Sequence, residues 1–341
     1  MEKRTKIKSV FAVGVAAVIV LFVVYKNLNS GEYTISMDGV FDTTVSIKVI
    51  GNQKSKKYLE ECAEKIRYYD STLSETNIGS DLYKLNLNKE SEITDDILEM
   101  VIQSGKYYKD TDGRFDITVG TVSQLWNNAL KSGKKPENNE IMRYMPSVGY
   151  SSLQIDGKHI RITKNNQKIT LGAVAKGYIA DRLAEYLKSH DIEGTMINLG
   201  GNIYVYGTKK GGKPWKIGIR DPQDENGMTG TLTLENKFII TSGDYERFAI
   251  IDGKRYHHII DAKTGYPAQN ELHSVTIVSD KGFDGDALST ACFLMGLDEG
   301  KKLTVKYGVE AVFVCDDEIY YSETLESCFT DRNDAYKYIP Y

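Results

Sequence analysis

Three short segments of this 341-residue chain carry residue types able to do chemistry at useful spacings. Gly172-Ala173-Val174-Ala175-Lys176-Gly177 reads as a glycine-rich junction running into a helix. Free backbone N–H groups and the positive end of a helix dipole suit an anionic phosphate, and Lys176 adds a mobile charge. The spacing is neither a Walker loop nor a complete GxGxxG, and close helix–sheet packing is the commoner use of such glycines. Asp286 and Thr290 stand four apart in Asp284-Gly285-Asp286-Ala287-Leu288-Ser289-Thr290. On a helix this stacks a carboxylate over a hydroxyl. Hard oxygen ligands of that kind suit Mg²⁺, which keeps waters and takes substrate phosphate oxygens. The spacing by itself favours a simpler use, Asp284 or Asp286 as an N-terminal cap.

The third segment, Arg255 to Pro267, holds two of the 5 histidines, His257 and His258. On a strand an adjacent pair points to opposite faces, so both cannot readily bind one metal. One of them turned into a cleft could move a proton near neutral pH; an exposed pair on an edge strand is the plain alternative. Gly113–Gly120 and Thr241–Phe248 each set an aromatic beside an acid and a base. That combination can stack on a planar ring while hydrogen-bonding its edges.

The elements that must position these residues follow from periodicity. Thr34 to Ile50 alternates as one or two strands joined near Asp38-Gly39. Helices are predicted over Lys54–Tyr69, from the Thr94 cap through Tyr108, over Thr121–Leu130, over Ala175–His190 and from about Asp284 to Met295, which Gly296 stops. Hairpins are expected over Leu153–Thr163 and about Asp252-Gly253. Ile169–Leu171 reads as a strand ahead of the glycine junction. Met196–Leu199 and Ile203–Tyr206 read as strands linked by Gly200-Gly201, with a further strand at Val275–Ser279. Mixed strands and helices with many hairpins give an α+β class, with residues 33–341 as one two-lobed body.

Composition narrows the function classes. With 41% hydrophobic and 26% charged residues and 6 Pro, the chain is globular. Its 4 Cys contain no CxxC pair, which argues against a zinc site or a redox motif. The basic residues Lys3, Arg4, Lys6, Lys8 and Lys26 concentrate at the start, so the remainder is more acidic than the chain's net −4. Such a body repels a phosphate backbone, and nucleic acid is not the expected partner. Lys3–Lys8 followed by the apolar run Val10–Tyr25 has the order of an export signal, slightly short of a hydrocarbon core of about 30 Å. No clear cleavage site or lipoprotein Cys follows. The expectation is a cytoplasmic tail and signal anchor over residues 1–30, with the rest outside the cytoplasmic membrane.

Taken together and in order, these segments resemble the FAD:protein FMN transferase (ApbE) family, from Met37 through Gly296. The resemblance implies a T-fold-like body tethered to the membrane. It also implies a Mg²⁺-dependent enzyme that takes FAD as substrate and moves FMN to a Ser or Thr hydroxyl of an exported flavoprotein, releasing AMP. By that resemblance Met37, Thr76, Arg114, Phe115, Asp116, Lys176, His258, Ile259 and Asp261 contact the dinucleotide. The carbonyl of Ala173 and the side chains of Asp286 and Thr290 bind the metal, and His258 is the general base. Asp38–Asp42 is an insertion relative to the family's early segment. Thr170 stands where the family carries an acid, so a contact made by a carboxylate is lost or made by a hydroxyl. Two other readings accompany this one: a flavin-binding or delivery protein without transfer, and a hydrolase splitting FAD to FMN and AMP.

Overall fold

Alternation of apolar and polar side chains builds one large sheet. The structure, a computed structural model, describes residues 30–341. The expected anchor before residue 30 lies outside the described residues, among which no helix is long and apolar enough to cross a membrane. The sheet contains β1 (Gly31–Val40), β2 (Thr43–Gly51), β3 (Ile192–Leu199), β4 (Asn202–Gly207), β5 (Lys237–Gly243), β6 (Ser274–Ser279), β7 (Glu310–Val314), β8 (Glu318–Tyr321) and β9 (Lys337–Pro340), side by side in that order. Neighbours are antiparallel except β8 and β9, which run parallel.

Because the meander is sequential, everything else hangs on its connections. Between β2 and β3 lie α1 (Ser55–Leu73), α2 (Asp81–Asn88), α3 (Asp95–Asp110), α4 (Gly120–Ser132), α5 (Asn138–Tyr144) and α6 (Ala175–Lys188). The hairpin Trp215–Arg220/Met228–Leu234 joins β4 to β5, and the hairpin Phe248–Ile251/Lys254–His257 lies between β5 and β6. Between β6 and β7 come α7 (Gly282–Met295) and α8 (Leu297–Tyr307). The class is therefore the expected α+β.

The central strands are covered on both faces, as continuous apolar runs require. All of β6 is buried. Ile240, Val275 and Ile277 face the helices, whereas Ile239, Val278 and Val312 face the small sheet built on Trp215, Ile217 and Leu232. Helix α7 is buried nearly all round and packs against α6, α8, β5 and β6. A third apolar cluster, around Trp126, Ile251 and Tyr256, seats the hairpin 248–257 on α4.

Several expectations are corrected. The β1–β2 turn is at Phe41-Asp42, both at positive φ, while Gly39 sits at a register shift. Ile169–Leu171 is not a strand. Its backbone is held instead by Asn86, whose Oδ1 accepts from Ile169 N at 2.7 Å and whose Nδ2 donates to Ile169 O at 2.8 Å, while Thr170 N donates to Ile117 O at 2.7 Å. A side-chain amide supplies the donor and acceptor that a neighbouring strand would have offered. The last helix begins at Gly282, so Asp286 lies inside it and neither Asp284 nor Asp286 caps it.

Candidate active site

Helices α6 and α7 carry the same short pattern, Gly177 with Asp181 and Gly282 with Asp286, glycine preceding aspartate by four. The two copies clasp each other. Asp286 Oδ2 accepts the Gly177 N–H at 2.8 Å; Asp181 Oδ1 accepts the Gly282 N–H at 2.7 Å and its Oδ2 that of Phe283 at 2.8 Å. A Cβ on Gly177 would run into the Gly282 carbonyl and the Asp286 side chain, and one on Gly282 into the Gly177 carbonyl. Only glycine lets the helix starts approach this closely. Each start then has its free N–H groups met by a carboxylate from the other, where the dipole favours negative charge.

Asp286 is only 4% exposed. Its other oxygen accepts from Asn202 Nδ2 at 2.9 Å, at the turn from β3 to β4. Burial pushes its carboxyl above the usual range, with Lys176, the Gly177 N–H and the Asn202 amide opposing. All its direct donors are neutral, so its charge is not locally matched. Since the Gly177 N–H turns to Asp286, it does not close a helical bond on the Ala173 carbonyl, which accepts no hydrogen bond from the described residues. Thr290 lies one turn after Asp286, and Ser242 of β5 is 3.2 Å from its hydroxyl.

Lys176 is the electrostatic hub: it acts on Asp286, Glu246 and His258 together. Glu246 touches solvent, yet much of the protein lies close around it. That crowding raises its carboxyl, opposed chiefly by Lys176 and Arg247. His258 follows the strand Lys254–His257, and its N–H donates to Arg247 O at 3.1 Å. Its Nδ1 is buried without a hydrogen-bond partner. Burial, then Arg247, His257 and Lys176, hold this imidazole well below its usual range, so it is neutral at pH 7. His257 has a different fate: its Nε2 meets Ala268 O at 2.9 Å and its Nδ1 accepts from Ile259 N at 3.3 Å, inside the core. Only His257 lies on the strand, so the two are separated by their hydrogen bonds: His257 is bonded into the core, and His258 Nδ1 has no partner.

The other expected residues divide. Met37 aligns with Val45 and Leu199 across β1–β3, a row that ends at Asn202 and so at Asp286. Thr76 is exposed on the loop after α1. Arg114 pairs with the carboxylate of Asp261, which also accepts the Lys263 N–H at 2.8 Å. Phe115 is 2% exposed and packs on Tyr107. Asp116 accepts from Thr118 N and Oγ1, both at 2.7 Å, and from Tyr150 N at 2.9 Å, and burial raises its carboxyl. Ile259 is buried, and its carbonyl accepts from Ala268 N at 2.9 Å. The side chains of Phe115, Asp116 and Ile259 are thus taken up by internal packing and hydrogen bonding. Thr170 donates to Glu75 Oε1 at 2.5 Å. Sequence reasoning missed Asn202, Glu246, Glu75 and Asp181. Glu246 stands inside a segment already singled out, and the repeated Gly-x-x-x-Asp was the available signal for Asp181.

An α+β body that gathers a glycine loop, a lysine and a buried carboxylate in one neighbourhood is suited to a phosphate-bearing ligand. The sequence profile of the ApbE family matches residues 41–313, and the chain belongs to that family. It is 35% identical over 207 residues to the FAD:protein FMN transferase of Klebsiella pneumoniae, spanning 60% of this chain and 64% of that relative. With the Treponema pallidum protein of the same name it shares 29% identity over 280 residues, 76% of this chain and 77% of the relative. The solved ApbE protein of Thermotoga maritima superposes with a TM-score of 0.78 at 32% identity, over 87% of this chain and 99% of that one.

Proposed function

We propose that this protein is an FAD:protein FMN transferase, moving FMN from FAD to a Ser or Thr hydroxyl of an exported flavoprotein and releasing AMP. The observation that carries this reading is that the 172–177 loop, Asp286 and His258 share one neighbourhood, in which Gly177 N–H binds Asp286 and Lys176 acts on both Asp286 and His258. The acceptor hydroxyl attacks the FMN-side phosphorus, the new O–P bond forms as the bridging P–O bond to AMP breaks, and the hydroxyl proton passes to the unprotonated ring nitrogen of His258. A neutral imidazole with a free lone pair can accept it. Lys176 and the glycine-loop amides offset charge building on the phosphoryl oxygens.

A divalent cation fits the donors present. Among the described residues no three His, Cys, Asp or Glu converge as ligands. The set is instead a buried carboxylate lacking a local counter-charge, a carbonyl without a hydrogen bond and a hydroxyl. Oxygen donors few in number suit Mg²⁺, which fills its shell with water and phosphate. Asp286, Thr290 and the Ala173 carbonyl would hold it, and when bound it would supply Lewis-acid stabilisation of the diphosphate. The remaining parts of the reading rest on sequence: residues 33–341 form the catalytic body, and the basic and apolar leader tethers it outside the cytoplasmic membrane.

The test is mass spectrometry of an exported acceptor protein after incubation with the full chain, FAD and Mg²⁺. The acceptor should gain the mass of FMN while AMP appears in equal amount. Free FMN with an unmodified acceptor would instead mark a hydrolase, and bound FAD without AMP a delivery protein.

A further inference from the structure

The loop after α1 presents Glu75 beside Thr76, and its carboxylate reaches the segment feeding the glycine loop, where Thr170 Oγ1 donates to Glu75 Oε1 at 2.5 Å. The loop is braced by its own hydroxyls. Ser74 Oγ accepts from Asn77 N at 3.0 Å, and Ser80 Oγ donates to Ser74 O. Glu75 stays open to solvent, yet surrounding protein raises its carboxyl, with the Thr170 hydroxyl, Lys168 and Arg247 opposing. Its second oxygen, Oε2, accepts nothing from the described residues. Arg247, which feels this carboxylate, is also the residue whose carbonyl holds the His258 N–H. Glu75 therefore stands beside the segment feeding the glycine loop and within electrostatic reach of Arg247, the residue that holds His258.

We propose that Glu75 determines specificity for the dinucleotide: held by Thr170, its carboxylate accepts a hydrogen bond from an N–H or O–H of bound FAD. Thr170 is then a positioning residue, and the acceptor group is delivered by a loop rather than by position 170 itself. This rests on the FAD-dependent reading above. The oxygen of Thr170 lies against that of Glu75, so a carboxylate transplanted to position 170 would stand near the same place.

That transplant is the test. Full-length variants are titrated with FAD by flavin fluorescence, each checked for wild-type melting. Glu75→Gln keeps the shape and loses the charge, and should weaken FAD binding on the order of tenfold, the scale of one hydrogen bond to an ionised group. Thr170→Val should lose less. Glu75→Ala should lose at least as much as Glu75→Gln, and adding Thr170→Asp to it should recover much of the loss, which repair of a merely structural contact would not do. Wild-type affinity in Glu75→Gln, or a double variant no better than Glu75→Ala, overturns the proposal and leaves the transferase reading standing. Failure of the wild-type protein to bind FAD overturns both.

Discussion

Asp181 and Asp286 occupy matching positions in two clasped helix starts, and only Asp286 lies in the field of Lys176 of the glycine loop. Asp181 spends both oxygens on consecutive backbone N–H groups of α7, so its bonding is complete inside the clasp. Asp286 meets one backbone N–H of α6 and one neutral amide, then sits in the field of Lys176 with no ion partner in contact. Both carboxylates have one neutral donor on each oxygen, so neither saturation nor burial separates them. What differs is where the donors lie: those of Asp181 both belong to α7, whereas Asp286 links α6 to the β3–β4 turn beside Lys176. Burial alone does not mark a functional carboxylate; its surroundings do.

The sharpest way to break this comparison is Asp286→Asn. The isostere keeps the shape and one acceptor oxygen and removes the charge, so FMN transfer should fall about a thousandfold or more, consistent with several kcal/mol of transition-state stabilisation. Acceptor fluorescence after electrophoresis measures it. An active Asp286→Asn would return Asp286 to the same structural role as Asp181.

Gly177→Ala strikes both halves at once. The new methyl group meets backbone of α7, which cannot swing aside as a side-chain tip would. Urea denaturation should show a loss of about 1–3 kcal/mol, the usual cost of overpacking. Unchanged stability would mean that the helices part freely and that the clasp does not set the position of Asp286.

The smallest effect is expected at Asp181, whose carboxyl burial pushes up from an ordinary 3.8 to about 6. A raised folded pKa makes protonation favour the folded state. That contribution is fully present below about 3.8 and is lost as pH rises through about 6. Asp181→Asn should flatten the dependence of the urea midpoint on pH across this window, while transfer falls far less than in Asp286→Asn. A variant with the full wild-type pH slope would assign the titration to another group.

Much of this molecule is legible in its amino-acid sequence. Periodicity locates α1, α3, α4, α6 and α7, the Thr94 cap, and the Gly200-Gly201 link, because local spacing determines which face of a helix or strand is apolar. The order of the glycine loop, the Asp286/Thr290 pair and His258 points to one enzyme family. Yet the segment 169–171 cannot be distinguished from a strand by its residues, since its extended backbone is satisfied by the Asn86 side chain from a distant helix. Nor can local spacing reveal that the carboxylate near position 170 arrives on residue 75.

By itself, then, the chain determined its elements, its class and the residue types available for phosphate chemistry, for these follow from contacts a few positions apart. The roles were decided in three dimensions. Asp286 looks like a cap for its own helix until the glycine contact turns it toward α6, and His257 and His258 are alike until one is bonded into the core and the other left free. Whether a polar atom is satisfied depends on partners remote in sequence, and it is that accounting which separates structure from function here.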